Sequence, residues 1–381
     1  MRIIVVLALI LMGLVAWYFS SEFRRELWSA NQGDPDAQYF VAQTYYDGTH
    51  GIQQNLCRAH QWWFKAAQQE HKQAKIALGN RYISQSNASI ECIEPDAKAI
   101  YQYILLATEY GNYKGYYTLA EHYTKDIPQK INYLESGALH DDTDALYALS
   151  SMYFSRNQAY SLHLLEKAAE LGDKRAQTFL GDIHAGLTYT PKYKDLNKAL
   201  EWYEKAAEKG DNTAQKNLAL LYLYGQGAQQ DYEKAAYYFK KSADQNDLES
   251  QLILAMLVMY DRGLSIHEYG SKQHSIDTIT ELAQNGYVEA QVELGRLYLL
   301  GLGVLQNYQT AAEWFQKAVN QSDRLAKYQL GLLYATGNGV PKNYKKAKEL
   351  FYQSRYTEYL DTSMPSGKGI LDEGYPYFRA Y

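Results

Sequence analysis

The strongest constraint on this chain is a pattern that returns along almost its whole length. A motif of the form Ala-Gln-x-x-Leu-Gly-x-x-Tyr opens on a small residue at Ala37, Ala74, Gly115, Ala145, Ala176, Ala214, Ser250, Ala290 and Ala326, at intervals of 30 to 41 residues. Four residues past each anchor stand Val41, Leu78, Leu119, Leu149, Leu180, Leu218, Leu254, Leu294 and Leu330. The next position is small in all nine units: Ala42, Gly79, Ala120, Ser150, Gly181, Ala219, Ala255, Gly295 and Gly331. Eight past the anchor come Tyr45, Tyr82, Tyr123, Tyr153, Tyr222, Tyr298 and Tyr334. Offsets of zero, four and eight follow one face of an α-helix, whereas a strand would repeat every second residue. Recurrence at this period marks an array of small structural units.

The rest of each unit reads as a turn and a second helix. Gly225-Gln226-Gly227, Gly301-Leu302-Gly303 and Gly337-Asn338-Gly339 follow the first helix, where glycine permits the left-handed conformation that ends it. Asp231, Asn307 and Asn343 then offer N-cap chemistry. A small-x-x-aromatic pattern follows at Ala59/Trp62, Ala199/Trp202, Ala235/Tyr238 and Ala311/Trp314. A helix pair of this size cannot bury its apolar face alone, so the units must stack.

This combination closely resembles the Sel1-like repeat family, α-solenoid relatives of the tetratricopeptide repeats. Ala290, Leu294-Gly295, Tyr298, Gly301-x-Gly303-Val304, Ala311, Trp314 and Ala318 carry the resemblance most completely. It covers about residues 34–355 and implies an all-α, right-handed α-solenoid of about nine helix-turn-helix repeats. Units three and four, at 30 and 31 residues, lack the Gly-x-Gly turn, and units five and seven carry insertions at 185–195 and 261–275.

Ahead of the repeats, residues 3–19 form an unbroken apolar run of 17 with Arg2 before it and Trp17-Tyr18 at its end. It is long enough for a transmembrane or signal-anchor helix and lacks a good cleavage site. The expected organisation is an anchor over 1–20, a linker over 21–33, the solenoid over 34–355 and a C-terminal extension over 356–381. That extension contains Pro365, Gly367, Gly369, Gly374 and Pro376; it serves either as a cap on the last unit or as a docking segment. The expected location is a bacterial inner membrane, single-pass, with the body in the periplasm; secretion after cleavage and a cytoplasm-facing body are the alternatives. Cys57 and Cys92 lie near the second helices of units one and two. Stacking allows them a disulfide if the body meets an oxidising compartment, the alternative being two unrelated thiols.

Composition narrows the chemistry. With 38 Lys and Arg against 43 Asp and Glu, a formal net charge of −5 gives no basic footprint for nucleic acid. The Gly-x-Gly turns follow helices, whereas a phosphate loop follows a strand. No HExxH or G-x-S-x-G occurs, and His267 and His274 have no cysteine pair beside them, so neither an active site, a metal site nor a cofactor is indicated.

The resemblance implies instead that the first helix of each unit lines a binding groove. In this register the inward positions are two, six and nine past the anchor. They place Tyr39, Gln43 and Tyr46 in unit one, Asn80 in unit two, Tyr117 and Glu121 in unit three, and Tyr147 and Phe154 in unit four. Asp182, Lys216, Met256, Met259, Arg296 and Tyr328 follow in units five to nine. Aromatic and Met-rich surfaces suit protein partners. The implied function is a non-catalytic, membrane-tethered scaffold that binds a protein or peptide. A cell-wall glycan binder or enzyme and a cytoplasmic signalling adaptor are the alternatives. The 38 tyrosines divide accordingly: ten belong to the repeat framework, and the surplus is dense between Tyr101 and Tyr133 and after Tyr352.

Overall fold

A computed structural model of the chain describes residues 22–84, 96–188, 191–262, 264 and 266–354. The apolar run at 3–19, Cys92 and the extension at 356–381 lie outside the described residues. Among the described residues all regular structure is helical, and no helix is long and apolar enough to cross a membrane. The chain divides into two compact units, residues 1–176 and 177–381, and each is a succession of helical hairpins.

In the first unit the hairpins are Pro35–Asp47 with Leu56–Gln68, Lys72–Ser84 with Ala97–Glu109, a helix from Lys114 with Ile127–Leu139, and Thr143–Tyr153 with Gln158–Glu170. The third hairpin's first helix passes at Leu119–Tyr123 into a π-helical turn, and Asp126 then caps the next helix directly. That solution replaces the missing glycine turn. The boundary between units falls inside the helix Lys174–Ala185. The second unit continues with Leu196–Glu208, then pairs Asn212–Tyr224 with Tyr232–Ala243 and Leu248–Met259 with Lys272–Gln284. It ends with Val288–Leu300 against Tyr308–Asn320 and Arg324–Thr336 against Tyr344–Ser354.

Every anchor and every residue five past it is buried, as the helix face requires. The two positions do different jobs. A Cβ on Gly295 would meet the Phe315 ring at 2.7 Å, and one on Gly331 would meet the Phe351 ring at 2.8 Å. The small residue therefore admits an aromatic ring from the second helix of its own hairpin. The anchor instead faces the hairpin before it: a Cβ on Gly137, in the second helix of unit three, would meet the Ala145 Cβ of unit four at 2.7 Å. The admitted rings are Trp63, Tyr203, Phe239, Phe315 and Phe351, each one residue beyond the aromatic noted in the sequence pattern or its equivalent. Trp62, Trp202 and Trp314 lie half-buried outside them, under the ammonium groups of Lys65, Lys205 and Lys317 at 4.1, 4.1 and 3.5 Å from the ring centres.

The glutamine beside the anchor stitches neighbouring hairpins. Buried Gln215 donates its side-chain amide to the Ala207 carbonyl at the end of the preceding second helix (3.1 Å) and accepts from Gln245 (2.8 Å). Gln291 does the same with the Ala283 carbonyl (3.1 Å) and Gln321 (3.0 Å). Gln38 repeats the arrangement with the Ala30 carbonyl (3.1 Å) and Gln69 (2.9 Å). Each buried amide thus adds a second hydrogen bond to a helix-terminal carbonyl that already accepts the backbone N–H of Gly33, Gly210 or Gly286, and it ties that helix end to the next hairpin.

That last instance corrects the expected linker over 21–33. Residues Glu22–Asn31 are helical, with Phe23 and Ala30 buried against Ala37 and Val41. The segment has only the second half of a hairpin, so it carries no anchor motif, yet Ala30 occupies the place that Ala207 and Ala283 hold elsewhere. The expected turns stand: Gly225, Gly301 and Gly337 end their helices in the left-handed region, at φ of 65°, 70° and 83°. Asp231, Asn307 and Asn343 cap the second helices through backbone N–H donors of Lys234, Thr310 and Lys346. The second glycine of the turn is left-handed for another reason. Gly303 faces Ile276 of the preceding hairpin, where a Cβ would stand 2.7 Å from the Ile276 Cδ1 atom.

Candidate functional site

The fourteen positions of the expected groove fall into three groups. Tyr39, Gln43 and Tyr46, from Pro35–Asp47, and Asn80, from Lys72–Ser84, come together around one cavity of about 580 Å³ in the first unit. Trp63 and the start of the helix Leu56–Gln68 close its side. The Tyr39 ring stacks on His71 at 5.0 Å, and Tyr46 lies tilted on Trp63 at 5.1 Å, so both rings are held in place. Gln43 donates to Asp47 (2.9 Å) and Asn80 accepts from Asn112 (2.9 Å), which sets the orientation of each amide. Burial, with the Asp47 charge adding to it, raises the Tyr39 pKa, so its phenol is a neutral donor at any physiological pH.

A second group is already engaged. Glu121 pairs with Lys130 at 2.8 Å, and Tyr147 carries the Arg175 guanidinium 4.8 Å above its ring. Asp182 accepts from the Tyr203 hydroxyl (2.7 Å) and from Asn217 (3.0 Å); burial raises its pKa against those hydrogen bonds. Lys216 pairs with Glu249 at 2.9 Å across two hairpins; burial opposes its charge, but the Glu249 and Asp247 carboxylates together outweigh it and raise the pKa. Arg296 reaches the fully buried Glu293, which also accepts from Tyr260 at 2.5 Å. Tyr117 is half-buried, its pKa raised by burial and then by Glu121. Phe154 falls just past the end of its helix, half-buried.

The third group corrects the groove. Met256 and Met259 are 2% and 7% exposed, packed with Ile276, Ile279 and Leu282. Past its first turn the helix Leu248–Met259 is apolar on every side, and the following hairpin elements cover the face that the register assigned to the groove. Tyr328 is also buried, its ring 5.6 Å from Phe351. These three are core residues and leave the candidate site.

Sequence reasoning missed Trp63 and Arg81, both in the cavity wall. A single stripe along the first helices cannot report a residue supplied by a second helix, and Arg81 lies seven past its anchor, between two stripe positions. Cys57 is held in a disulfide; Cys92, the expected partner, lies outside the described residues. Among the described residues no three His, Cys, Asp or Glu side chains gather as metal ligands.

Consecutive hairpins with small-residue contacts and a glutamine stitch define a helical-hairpin repeat protein, and comparison with known sequences places it. The Sel1 repeat model matches residues 35–71, 143–173, 174–211, 213–247, 288–323 and 324–355, more than half of the chain, and the chain belongs to that family. The match includes unit four despite its missing glycine turn, and omits units two, three and seven. Neisseria meningitidis protein NMB1327, itself uncharacterised, is 28% identical over 303 residues, covering 75% of this chain and 60% of its own length. Escherichia coli YibG, also uncharacterised, is 32% identical over 96 residues, 24% of this chain and 61% of its own. The chain thus spans about three-fifths of these relatives. Among solved structures, c5321, a protective antigen of uropathogenic Escherichia coli strains with an SLR fold, superposes with a TM-score of 0.65 at 21% identity, covering 87% of this chain and 79% of that one. A Sel1 repeat protein from Oxalobacter formigenes is 27% identical with a TM-score of 0.49, covering 77% and 86%.

Beside Tyr117 and Tyr147, Asp142 caps the helix Thr143–Tyr153 through one oxygen, while its other oxygen is buried without a partner. Burial raises its pKa first, and the Asp144 charge raises it further, against Lys114. A carboxyl whose folded pKa lies above its unfolded value favours the fold at low pH and loses that contribution as pH rises through the folded pKa. Asp142→Asn keeps the capping oxygen, so its melting temperature is expected to exceed that of the unaltered protein at pH 7. The difference should shrink as pH falls toward 4, as thermal melts across that range will show. A constant difference would contradict it.

Proposed function

We propose that this chain is a non-catalytic scaffold, tethered at a bacterial envelope through residues 3–19, that receives a segment of a partner protein in the cavity between its first two hairpins. The observation that carries the reading is the sorting of the stripe. Most of its residues outside that cavity are spent on ion pairs, hydrogen bonds or core packing. Four residues from two hairpins instead converge on open space. Tyrosines locked by stacking lose little entropy when a ligand covers them, which favours binding. The disulfide at Cys57 supports a body outside the cytoplasm, and a Cys57–Cys92 bridge would join the first two hairpins covalently.

A photo-activatable side chain placed at Tyr46, which is 40% exposed on the cavity rim, is expected to capture a discrete protein in cells. The same side chain at exposed Tyr352, on the last described helix, should not capture it. Equal capture at both places would contradict the site. For the tether, a C-terminal phosphatase fusion is expected to be active and a C-terminal green-fluorescent fusion dark; the reverse pattern would put the body in the cytoplasm.

A further inference from the structure

The cavity wall contains twelve residues, and Arg81 alone among them carries a charge. No carboxylate answers it among the described residues: its Nε is buried without an acceptor, and no ion pair involves its guanidinium. The contrast with the stripe is sharp, since its Glu121 meets Lys130 and its Lys216 and Arg296 each meet a carboxylate, all within 3.3 Å. A guanidinium cannot relieve itself by losing its proton, so a half-buried one without a counter-ion is costly to hold.

A second orphan lies in the same wall. Trp63 is 3% exposed and its indole Nε1 has no acceptor, although a buried indole N–H ordinarily finds one. Two donors without acceptors and no anionic group describe a site short of one carboxylate and one further oxygen. The remaining polar lining is mostly amide: Gln43, Gln54, Gln73 and Asn80, with the Ser84 hydroxyl, both donate and accept, as a peptide backbone does. Tyr39, Tyr46 and Leu56 supply apolar contact.

We infer that the cavity takes a short acidic peptide segment, with an Asp or Glu side chain paired to the Arg81 guanidinium. A neighbouring backbone carbonyl accepts from Trp63 Nε1, and an apolar residue rests against Tyr39 and Tyr46. A carboxylate matches one planar guanidinium two bonds to two. A phosphate, with nearly twice the charge, calls for more donors than one guanidinium and one indole N–H supply. At about 580 Å³ the space is also larger than a free carboxylate needs and falls in the range that encloses several residues' worth of ligand. This assignment rests on the scaffold reading above and adds the chemistry of the occupant.

Selection from a random ten-residue peptide display library on the full-length chain tests it. The selected peptides are expected to share an Asp or Glu close to an apolar or aromatic residue. For a selected peptide, Arg81→Gln should weaken binding about tenfold or more, the range of a charge-assisted hydrogen-bonded pair. Exchanging the peptide's Asp for Asn should weaken it equally, and the two changes together should cost little more than either alone. Arg81→Lys should recover part of the loss. If Arg81→Gln fails to fold by circular dichroism, the peptide exchange still decides. Peptides without an acidic preference that bind Arg81→Gln undiminished would overturn the carboxylate assignment while leaving the groove in place. Failure to select any peptide would remove the groove reading itself.

Discussion

The structure depends on a space left by a missing side chain. At the position five past each anchor the residue is Gly, Ala or Ser; in five of the nine hairpins Trp63, Tyr203, Phe239, Phe315 or Phe351 of the second helix fills the gap, and at Gly79 the backbone of Tyr103 approaches instead. Close packing makes such a contact intolerant of even one added methyl group. It fixes the two helices of a hairpin before any neighbour is considered. The anchor residue and the glutamine beside it then join hairpin to hairpin, the first by close approach and the second by a hydrogen bond to the carbonyl at the end of the preceding helix. Stability on this plan is a sum of unit and nearest-neighbour contributions.

The same plan decides where a ligand can go. Side chains that point toward the groove are free for binding only if the neighbouring hairpin does not claim them. Regular spacing in the second unit lets it claim nearly all: Lys216 finds Glu249, Arg296 finds Glu293, and Met256 and Met259 sink into the core. Between the first two hairpins Gln43 is tied to Asp47 and Tyr39 to His71, yet no neighbouring helix fills the space beside them, and a cavity remains. Function on this fold is what the stitching leaves over.

Much of this was legible in the sequence because it is local or periodic. The helix faces, the glycine turns and the caps at Asp231, Asn307 and Asn343 each depend on residues a few positions apart. Tyr39, Gln43, Tyr46 and Asn80 obey the same period, and the structure brings these four together around one cavity. What stayed hidden depends on partners about 30 residues away, such as the Lys216–Glu249 pair, or on another helix, such as Trp63. The helix Glu22–Asn31 was hidden for a different reason. Half a hairpin has no motif of its own and is recognised only through its fit to Ala37 and Val41.

Hydrogen exchange on Gly295→Ala, read by mass spectrometry, tests the central contact most directly. An added Cβ would stand 2.7 Å from the Phe315 ring, so the account predicts faster exchange in Val288–Leu300 and Tyr308–Asn320. Smaller changes should reach the flanking hairpins and none the first unit, and Phe315→Leu in the same chain should restore part of the protection. Unchanged exchange in that hairpin, or a loss spread evenly over the chain, would contradict it.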